Sequence, residues 1–460
     1  MDDESFMFPN LSLFAFTITL PNDFFITILH LQHFSFKRYQ NNPNMRPQYE
    51  SKSPVSKGLF LFLKLIGMCP FTLDKIDIIR RSKTATLYSI ILLTFYTLCY
   101  YRAVVSRISI MLPRETNMLV VMDFIALGLD YWVIMVVWFY AIVYQNELRC
   151  ILKYFITTKH EVVLLGMTEC YDDFSINLHI FVISLNLLFF ILYIIDHALL
   201  YNVEVFEFDV WLPFNIPRCV SINMVGIFFY ALKTIQMRFK FINLTIKHFP
   251  HDFSDDNVCN ERNFVTAIEY NNNYNKFYRP KIKSNTIATA DRLRAFGKLH
   301  RNLRNLVTLM NNLFALPLLM ALMMQFSQLI VNIYMLLIYI SDGNYCHWKA
   351  NSSMSIVLGW LIIRLIQMLC IIDVCGTMSQ TANRIGNYLH TMWLMRRPQG
   401  SSDVVKILSL ECLQQTVKIQ LYGSIGVNNS MLFKMSGVIT TYIIIMMQLD
   451  GQPRLFEIAD

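Results

Sequence analysis

Hydrophobic residues gather along the chain in seven runs of about 20 residues or more, which polar segments separate. A helix rises about 1.5 Å per residue, so about 20 apolar residues are enough to cross the hydrocarbon core of a bilayer. The pattern predicts an all-α membrane protein with seven transmembrane helices. The predicted spans are 84–104, 118–144, 176–201, 211–236, 306–340, 353–375 and 430–449.

Lys and Arg residues are divided unequally between the two sides that these spans define. Segments on the side of the N-terminus hold 32 of them, and segments on the opposite side hold 5. Cytoplasmic segments of membrane proteins carry the excess of basic residues. We therefore expect the N-terminus inside the cell and the C-terminus outside, which inverts the topology of a G-protein-coupled receptor.

The composition agrees with a polytopic membrane protein. Hydrophobic residues make up 55% of the chain and charged residues 16%, and the mean hydropathy is +0.40. The net charge of +8 comes from the segments between the spans, so it indicates topology rather than a nucleic-acid partner. The basic run 292–304 immediately precedes a span and is interpreted as an anchor at the membrane surface.

The segments outside the spans predict a second layer of structure. Leu410, Leu413, Val417 and Leu421 recur on one side of the run 404–422, which predicts an amphipathic cytoplasmic helix. The polar segment near 250–289 lacks apolar periodicity and is predicted to be disordered. The expected organisation is a cytoplasmic N-terminal segment at 1–83, six helices with cytoplasmic extensions at 84–375, a cytoplasmic helical anchor region at 376–429, the last helix at 430–450 and an extracellular tail at 451–460.

Polar residues within the spans are the candidates for binding a ligand. Ionisable groups at this depth cost several kcal/mol unless they face a cavity or a partner. The predicted topology places many of them in the outer halves of the helices, where their faces converge on one wet cavity. The candidates are Asp123, Asp130, Asp196, Arg218, Gln325, Gln328, Asn332, Trp360, Arg364 and Gln367.

A purely structural role for these residues is equally open. Arg218 or Arg364 can pair with an aspartate to hold helices together, since buried ion pairs are commonly structural. The amide stripe of the fifth span can equally serve hydrogen bonding between helices.

The last span ends in a recognisable motif. Thr441 and Tyr442 are followed by five apolar residues and then by Gln448 and Leu449. This resembles the TYxxxxxQF signature at the end of insect gustatory receptors, with Leu449 where the family has Phe. The segments KLHRNLRNLVTLMNNLFALPLL (298–319) and QTANRIGNYLH (380–390) are similar to that family as well, and the resemblance covers roughly 54–450.

The resemblance implies a gustatory chemoreceptor that acts as a ligand-gated, non-selective cation channel in the plasma membrane. Four subunits, identical or mixed, would place the seventh helix around a pore, and a small-molecule tastant would bind in the outer half of helices 2–6. On this basis the pore residues are Thr441, Ile445, Gln448 and Asp450. A role for Gln448 in hydrogen bonding between helices remains open.

Two other functions are considered. An odorant receptor of the same superfamily would share the fold. A secondary transporter could use the same embedded charges, but the sequence shows neither inverted repeats nor matching spans broken by Gly and Pro.

Enzymatic and metal chemistry find no support in the motifs. The sequence contains no HExxH, no GxSxG and no Gly-rich phosphate loop, so no enzyme activity and no cofactor are expected. Cys346 and His347 are adjacent but stand alone, so no metal site is expected. Asn351 begins a sequon on the outer side and is a glycosylation candidate.

The division of basic residues generates a direct prediction about topology. An epitope tag at the C-terminus should be labelled on intact cells, whereas an N-terminal tag should be labelled only after permeabilisation. Antibody labelling of both tagged forms measures this. Surface labelling of the N-terminal tag alone would contradict the orientation.

Overall fold

Long helices dominate the part of the chain that the computed structural model describes. The described residues are 63–68, 71–73, 79–111, 117–165, 170–201, 208–248, 289–341, 348–394, 399–423 and 425–450. They belong to the unit Lys52–Asp460. The predicted disordered segment, up to 288, and the predicted extracellular tail lie outside these residues.

The helices and strands follow in chain order. A short hairpin of β1 (Phe71–Leu73) and β2 (Ile79–Arg81) precedes the first long helix. The helices are then α1 (Lys83–Met111), α2 (Asn117–Val143), α3 (Gln145–Leu164), α4 (Cys170–Tyr201), α5 (Phe208–His248), α6 (Thr289–Ser341), α7 (Trp348–Leu394) and α8 (Gln399–Gln414). A second hairpin of β3 (Gln420–Leu421) and β4 (Ile425–Gly426) leads into α9 (Asn429–Asp450).

Each of the seven predicted spans corresponds to one long helix, with 118–144 running one residue past the end of α2, and this confirms the predicted fold. Among the described residues, six helices are long and apolar enough to cross a membrane, and 182–196 of α4 forms a shorter apolar stretch. Helices α5, α6 and α7 continue beyond the predicted spans by a dozen or more residues. These extensions agree with the helical patterns that the sequence shows next to those spans.

The predicted amphipathic helix over 404–422 is wrong in its second half. Helix α8 ends at Gln414, and the chain then becomes extended before β3. Leu410 and Leu413 are exposed, whereas Val417 and Leu421 are buried, so the four residues do not form one packed stripe. The alternation of buried Val417, Ile419 and Leu421 has the period of two that is typical of a strand.

Helices α5, α6 and α7 form the centre of the bundle, and α2 packs against α5 and α6. Two apolar clusters illustrate this arrangement. Phe189 of α4 packs with Ile222 of α5 and with Ile363 of α7. In the other cluster, Tyr334 of α6 packs against Met446 of α9.

Charged and amide side chains connect α3, α6 and α8 at one end of the bundle, here called the α8 end. Arg301 of α6 donates two hydrogen bonds to the Glu411 carboxylate of α8, at 2.9 and 2.7 Å. Asn302 of α6 donates to both carboxylate oxygens of Glu161 on α3, at 3.0 and 2.9 Å. The Arg301 guanidinium also holds the pKa of Glu411 below its usual range, which keeps this carboxylate ionised.

Helix α5 joins the α8 end through buried polar side chains. The Arg238 guanidinium, buried completely, donates to the Phe155 carbonyl oxygen of α3 at 3.1 Å and also contacts the Thr158 hydroxyl. Asn243 of α5 donates to the Thr381 carbonyl oxygen of α7 at 2.6 Å. The α8 end is therefore a packed assembly of five helices, and its location in the cytoplasm stays a prediction.

The crossing of α6 and α8 depends on a residue without a side chain. A Cβ atom at Gly297 would overlap Cδ2 of Leu408 and would lie 3.2 Å from Cδ1. Only glycine therefore allows α6 and α8 to approach this closely without displacing Leu408.

Gly297→Ala should make the protein less stable than the same change at an open helix position, by about 1–3 kcal/mol, because Leu408 must move to make room. The matched control is Gly128→Ala on α2, where a Cβ atom would meet nothing within 4 Å. Thermal unfolding of the detergent-purified protein should show a lower Tm for Gly297→Ala only. Equal Tm values for both variants would contradict the close packing.

Candidate functional site

Several of the ligand-binding candidates meet where α2, α5, α6 and α7 pack together. We call this group the polar cluster. Its side chains are buried, and it lies in the C-terminal half of α6, away from the α8 end. Its members are Asp130, Ser221, Gln325, Gln328, Arg364 and Gln367.

Gln325 is the centre of the hydrogen-bond network. Its Oε1 accepts a hydrogen bond from Arg364 Nη1 at 3.3 Å, and its Nε2 donates to Ser221 Oγ at 3.3 Å and to Gln367 Oε1. One turn further along α6, Gln328 Nε2 donates to Asp130 Oδ2 at 3.3 Å. One helix thus carries two amides that connect it to three neighbouring helices.

The cluster places charged groups away from solvent. The exposed fraction is 0% for Asp130 and 2% for Arg364. A buried charge needs compensation by a partner of opposite sign or by hydrogen bonds. In this cluster the amides of Gln325 and Gln328 contact the arginine and the aspartate, respectively.

A second cation lies next to the polar cluster. The Arg218 guanidinium is 4.8 Å from the centre of the Trp360 ring, within the range of a cation–π interaction. Arg218 Nη1 also donates to Asn215 Oδ1 at 3.2 Å. The ring of Phe189 on α4 also lies against Trp360, and the two ring centres are 5.7 Å apart.

Several buried hydrogen-bond donors in this region have no partner among the described residues. Four buried nitrogen atoms have no hydrogen-bond partner within the described part of the chain: Arg218 Nε, Trp360 Nε1, Arg364 Nε and Gln367 Nε2. All four carry an N–H group in their usual ionisation state. The region is therefore suited to a chemical group that supplies oxygen acceptors.

Two further predicted ligand residues lie in described parts of α4 and α6. Asp196 is half-buried on α4, and Asn332 is half-buried on α6, one turn beyond Gln328. The side chain of Asp123 lies outside the described residues. The side chain of Asn351, at the start of α7, also lies outside them, so its glycosylation stays a prediction.

The sequence analysis did not identify Asn215 and Ser221 of α5, which lie on the same side of the helix as Arg218. Asn215, Arg218 and Ser221 are each three residues apart, which places them along one side of the helix. Asn223 of the same helix donates to Asn186 Oδ1 of α4 at 2.9 Å. The three-residue spacing indicates that these residues share one side of a helix, but only Arg218 is among the predicted ligand residues.

Helix α9 has two different sides. Met446 and Ile439 pack against Ile330 and Tyr334 of α6. The predicted pore residues lie on the opposite side, where Thr441 and Gln448 are exposed and Ile445 is 42% exposed. Leu449 and Asp450 end the helix, and the structure describes only their backbone.

Metal ligands are not grouped in the part of the chain that is described. No three His, Cys, Asp or Glu residues there are placed to hold a metal ion. The arrangement of long apolar helices around a buried polar cluster defines a multi-pass helical membrane protein.

The family follows from comparison with known sequences. A family model described as 7tm Chemosensory receptor matches residues 57–452. The protein belongs to this family, whose members are receptors and not enzymes. This confirms the chemoreceptor resemblance of the sequence, while a comparison with curated proteins gave no match.

Solved structures show the same fold. The insect olfactory receptor OR5 from Machilis hrabei in complex with eugenol is similar to this chain with a TM-score of 0.62 and 12% identity, over 85% of this chain and 97% of that chain. A second structure of the insect olfactory receptor OR5 from Machilis hrabei matches with a TM-score of 0.60 at the same identity and coverage. At this identity the likeness establishes a shared fold.

Proposed function

We propose that this protein is a gustatory receptor that acts as a ligand-gated, non-selective cation channel in the plasma membrane. Membership of the chemosensory receptor family supports the receptor class. The motif of Thr441, Tyr442, Gln448 and Leu449 favours a gustatory over an olfactory member. The N-terminus and the α8 end then lie in the cytoplasm, in accord with the distribution of basic residues.

The four buried donors that have no partner in the described part of the chain are the observation that carries the ligand proposal. Leaving a buried donor without a partner costs about 1–3 kcal/mol. A tastant with hydroxyl, carbonyl or carboxylate oxygens would satisfy Arg364 and Gln367, and its apolar part would contact the ring of Trp360. Binding would then change the hydrogen-bond partners of residues on α5, α6 and α7 together.

The exposed side of α9 supports the channel. Four copies of α9 around an axis would bring the stripe of Thr441, Ile445 and Gln448 together, so that four isoleucines form an apolar constriction. Four Gln448 amides would offer oxygen atoms to a partly dehydrated cation, and Asp450 would add negative charge at the outer mouth. Met446 would remain packed against α6. The tetramer is either homomeric or formed with other gustatory receptors.

An odorant receptor is the second candidate. Its support is the fold shared with an olfactory receptor that was solved in complex with eugenol. Eugenol is a phenol with few oxygen atoms, whereas the four free donors here favour a more polar ligand. Responses to sucrose, quinine and eugenol in cells that express only this chain separate the two candidates.

The first functional prediction concerns the polar cluster. Cells that express the protein should show an inward current with sucrose or quinine, and Arg364→Ala and Gln328→Ala should each raise the half-maximal concentration by about tenfold, equivalent to ~1.4 kcal/mol. Gln414→Ala, at an exposed position of α8, is the control. Dose–response curves and surface labelling are measured for each variant.

The outcomes distinguish a ligand site from a structural one. A shifted curve with normal surface labelling supports ligand binding at the cluster. Loss of surface protein in both variants, with a normal Gln414→Ala control, would instead mean that the cluster only holds helices together.

The second functional prediction concerns the pore. Gln448→Ala and Gln448→Glu should change the reversal potential under bi-ionic conditions and the single-channel conductance, because both substitutions alter the oxygen atoms offered to the cation. Thr440→Ala is the control, since Thr440 is exposed on α9 but lies outside the stripe. Unchanged permeation in both Gln448 variants would remove Gln448 from the pore.

A further inference from the structure

The segment that joins α8 to α9, residues 415–428, is held in place by side chains from other helices. We call it the α9 linker. Four of its apolar side chains are buried, with exposed fractions of 1–4%: Val417, Ile419, Leu421 and Val427. Its backbone, however, is mostly extended, so its N–H and C=O groups need partners outside a helix.

Two asparagines each bind both backbone groups of one linker residue. On α7, Asn383 Nδ2 donates to the Val417 carbonyl oxygen at 2.9 Å, and Asn383 Oδ1 accepts from the Val417 N–H at 2.8 Å. On α6, Asn311 Nδ2 donates to the Gln420 carbonyl oxygen at 3.0 Å, and its Oδ1 accepts from the Gln420 N–H at 3.1 Å. Each asparagine therefore pairs with the linker as a neighbouring strand would.

The register of the hairpin explains why Gln420 needs this partner. Val427 N–H donates to the Ile419 carbonyl oxygen at 3.2 Å, so residues 419 and 427 form a hydrogen-bonded pair. In an antiparallel ladder the next pair, Gln420 opposite Gly426, is not hydrogen-bonded, and its N–H and C=O groups point away from the partner strand. Asn311 satisfies the outer edge of β3 at that residue.

The helices that carry the two asparagines also carry the polar cluster. Asn311 lies 14 residues before Gln325 on α6, and Asn383 lies 16 residues after Gln367 on α7. These separations correspond to about 21 and 24 Å along a helix. Both helices run through the two regions, α6 with Pro317 between them, so a displacement at the cluster has a continuous path to an asparagine at the α8 end.

Helix α9 itself is weakly attached to the rest of the chain. Met446 is its one buried side chain among the described residues 429–448. The linker has four buried side chains and hydrogen bonds to two helices, so it is the firmest connection between α9 and the bundle.

We infer that Asn311 and Asn383 are positioning residues that transmit movement of α6 and α7 at the polar cluster to the start of α9. This inference rests on the proposed channel function. In the resting receptor the two asparagines fix the linker, and a movement of either helix pulls on the backbone of Val417 or Gln420.

Hydrogen–deuterium exchange of the purified full-length receptor tests the positioning part without any ligand. Asn383→Ala should speed exchange of the Val417 amide about tenfold or more, since each lost hydrogen bond changes a local equilibrium roughly fivefold. Asn311→Ala should do the same at the Gln420 amide. Asn387→Ala, exposed one turn along α7, is the matched control and should change neither amide.

Current recordings test the transmission part. With saturating sucrose or quinine, the maximal current per surface-labelled receptor should fall about tenfold in Asn311→Ala and Asn383→Ala and stay normal in Asn387→Ala. A merely structural role would lower the number of receptors at the surface but not the open probability of each channel. Asn311→Asp and Asn383→Asp keep the size of the side chain and replace its donor, so they should reproduce the loss of current.

Each result decides between the possibilities. Unchanged exchange at Val417 and Gln420, or a normal current per receptor in the Ala and Asp variants, would overturn the inference. Loss of folding in all four variants would also overturn it, in favour of a structural role. A wild-type receptor that is silent to sucrose, quinine and eugenol would count against the proposed function, and the exchange data would still decide whether the asparagines position the linker.

Discussion

The structure depends on one constraint, which is that polar groups buried among apolar helices must find their partners within the protein. Helices satisfy the backbone internally, so the side chains and the few extended segments carry the remaining requirement. This requirement is met in three places: the polar cluster, the buried Arg238 and the α9 linker. In each case amide, hydroxyl or carbonyl groups from a different helix supply the hydrogen bonds.

The two ends of the central helices meet this constraint differently. At the α8 end, charged pairs join the helices, and the Glu411 carboxylate of α8 accepts two hydrogen bonds from Arg301 of α6. In the polar cluster, amides carry most of the contacts, and Arg364 Nε and Gln367 Nε2 have no hydrogen-bond partner among the described residues. A buried donor without a partner costs about 1–3 kcal/mol, which a ligand oxygen at this site would recover.

Helices α6 and α7 each run through both of these regions. The same pair of helices provides the amides of the cluster and the asparagines that bind the α9 linker. Most of α9 is left exposed, and its attachment is concentrated at Met446 and at its N-terminal linker. Under the proposed function, the α8 end would hold the helices together, the polar cluster would bind the ligand and α9 would line the pore.

The sequence predicted the seven long helices and the family because apolar length and a short terminal motif are local properties. It also identified Asp130, Gln325, Gln328, Arg364 and Gln367 as unusual, since a polar residue in an apolar run is visible without a structure. The predicted helix was wrong over 415–422, where the helical spacing of Leu413, Val417 and Leu421 competes with an alternation of period two. The extended conformation found there is hydrogen-bonded to Asn311 and Asn383, which lie far away in the sequence. Only the tertiary structure decided which polar residues meet and that Ser221 joins them. It also decided that Asn311 and Asn383 bind the backbone of the α9 linker. Such contacts depend on how separate helices pack and not on the residues next to them in the chain.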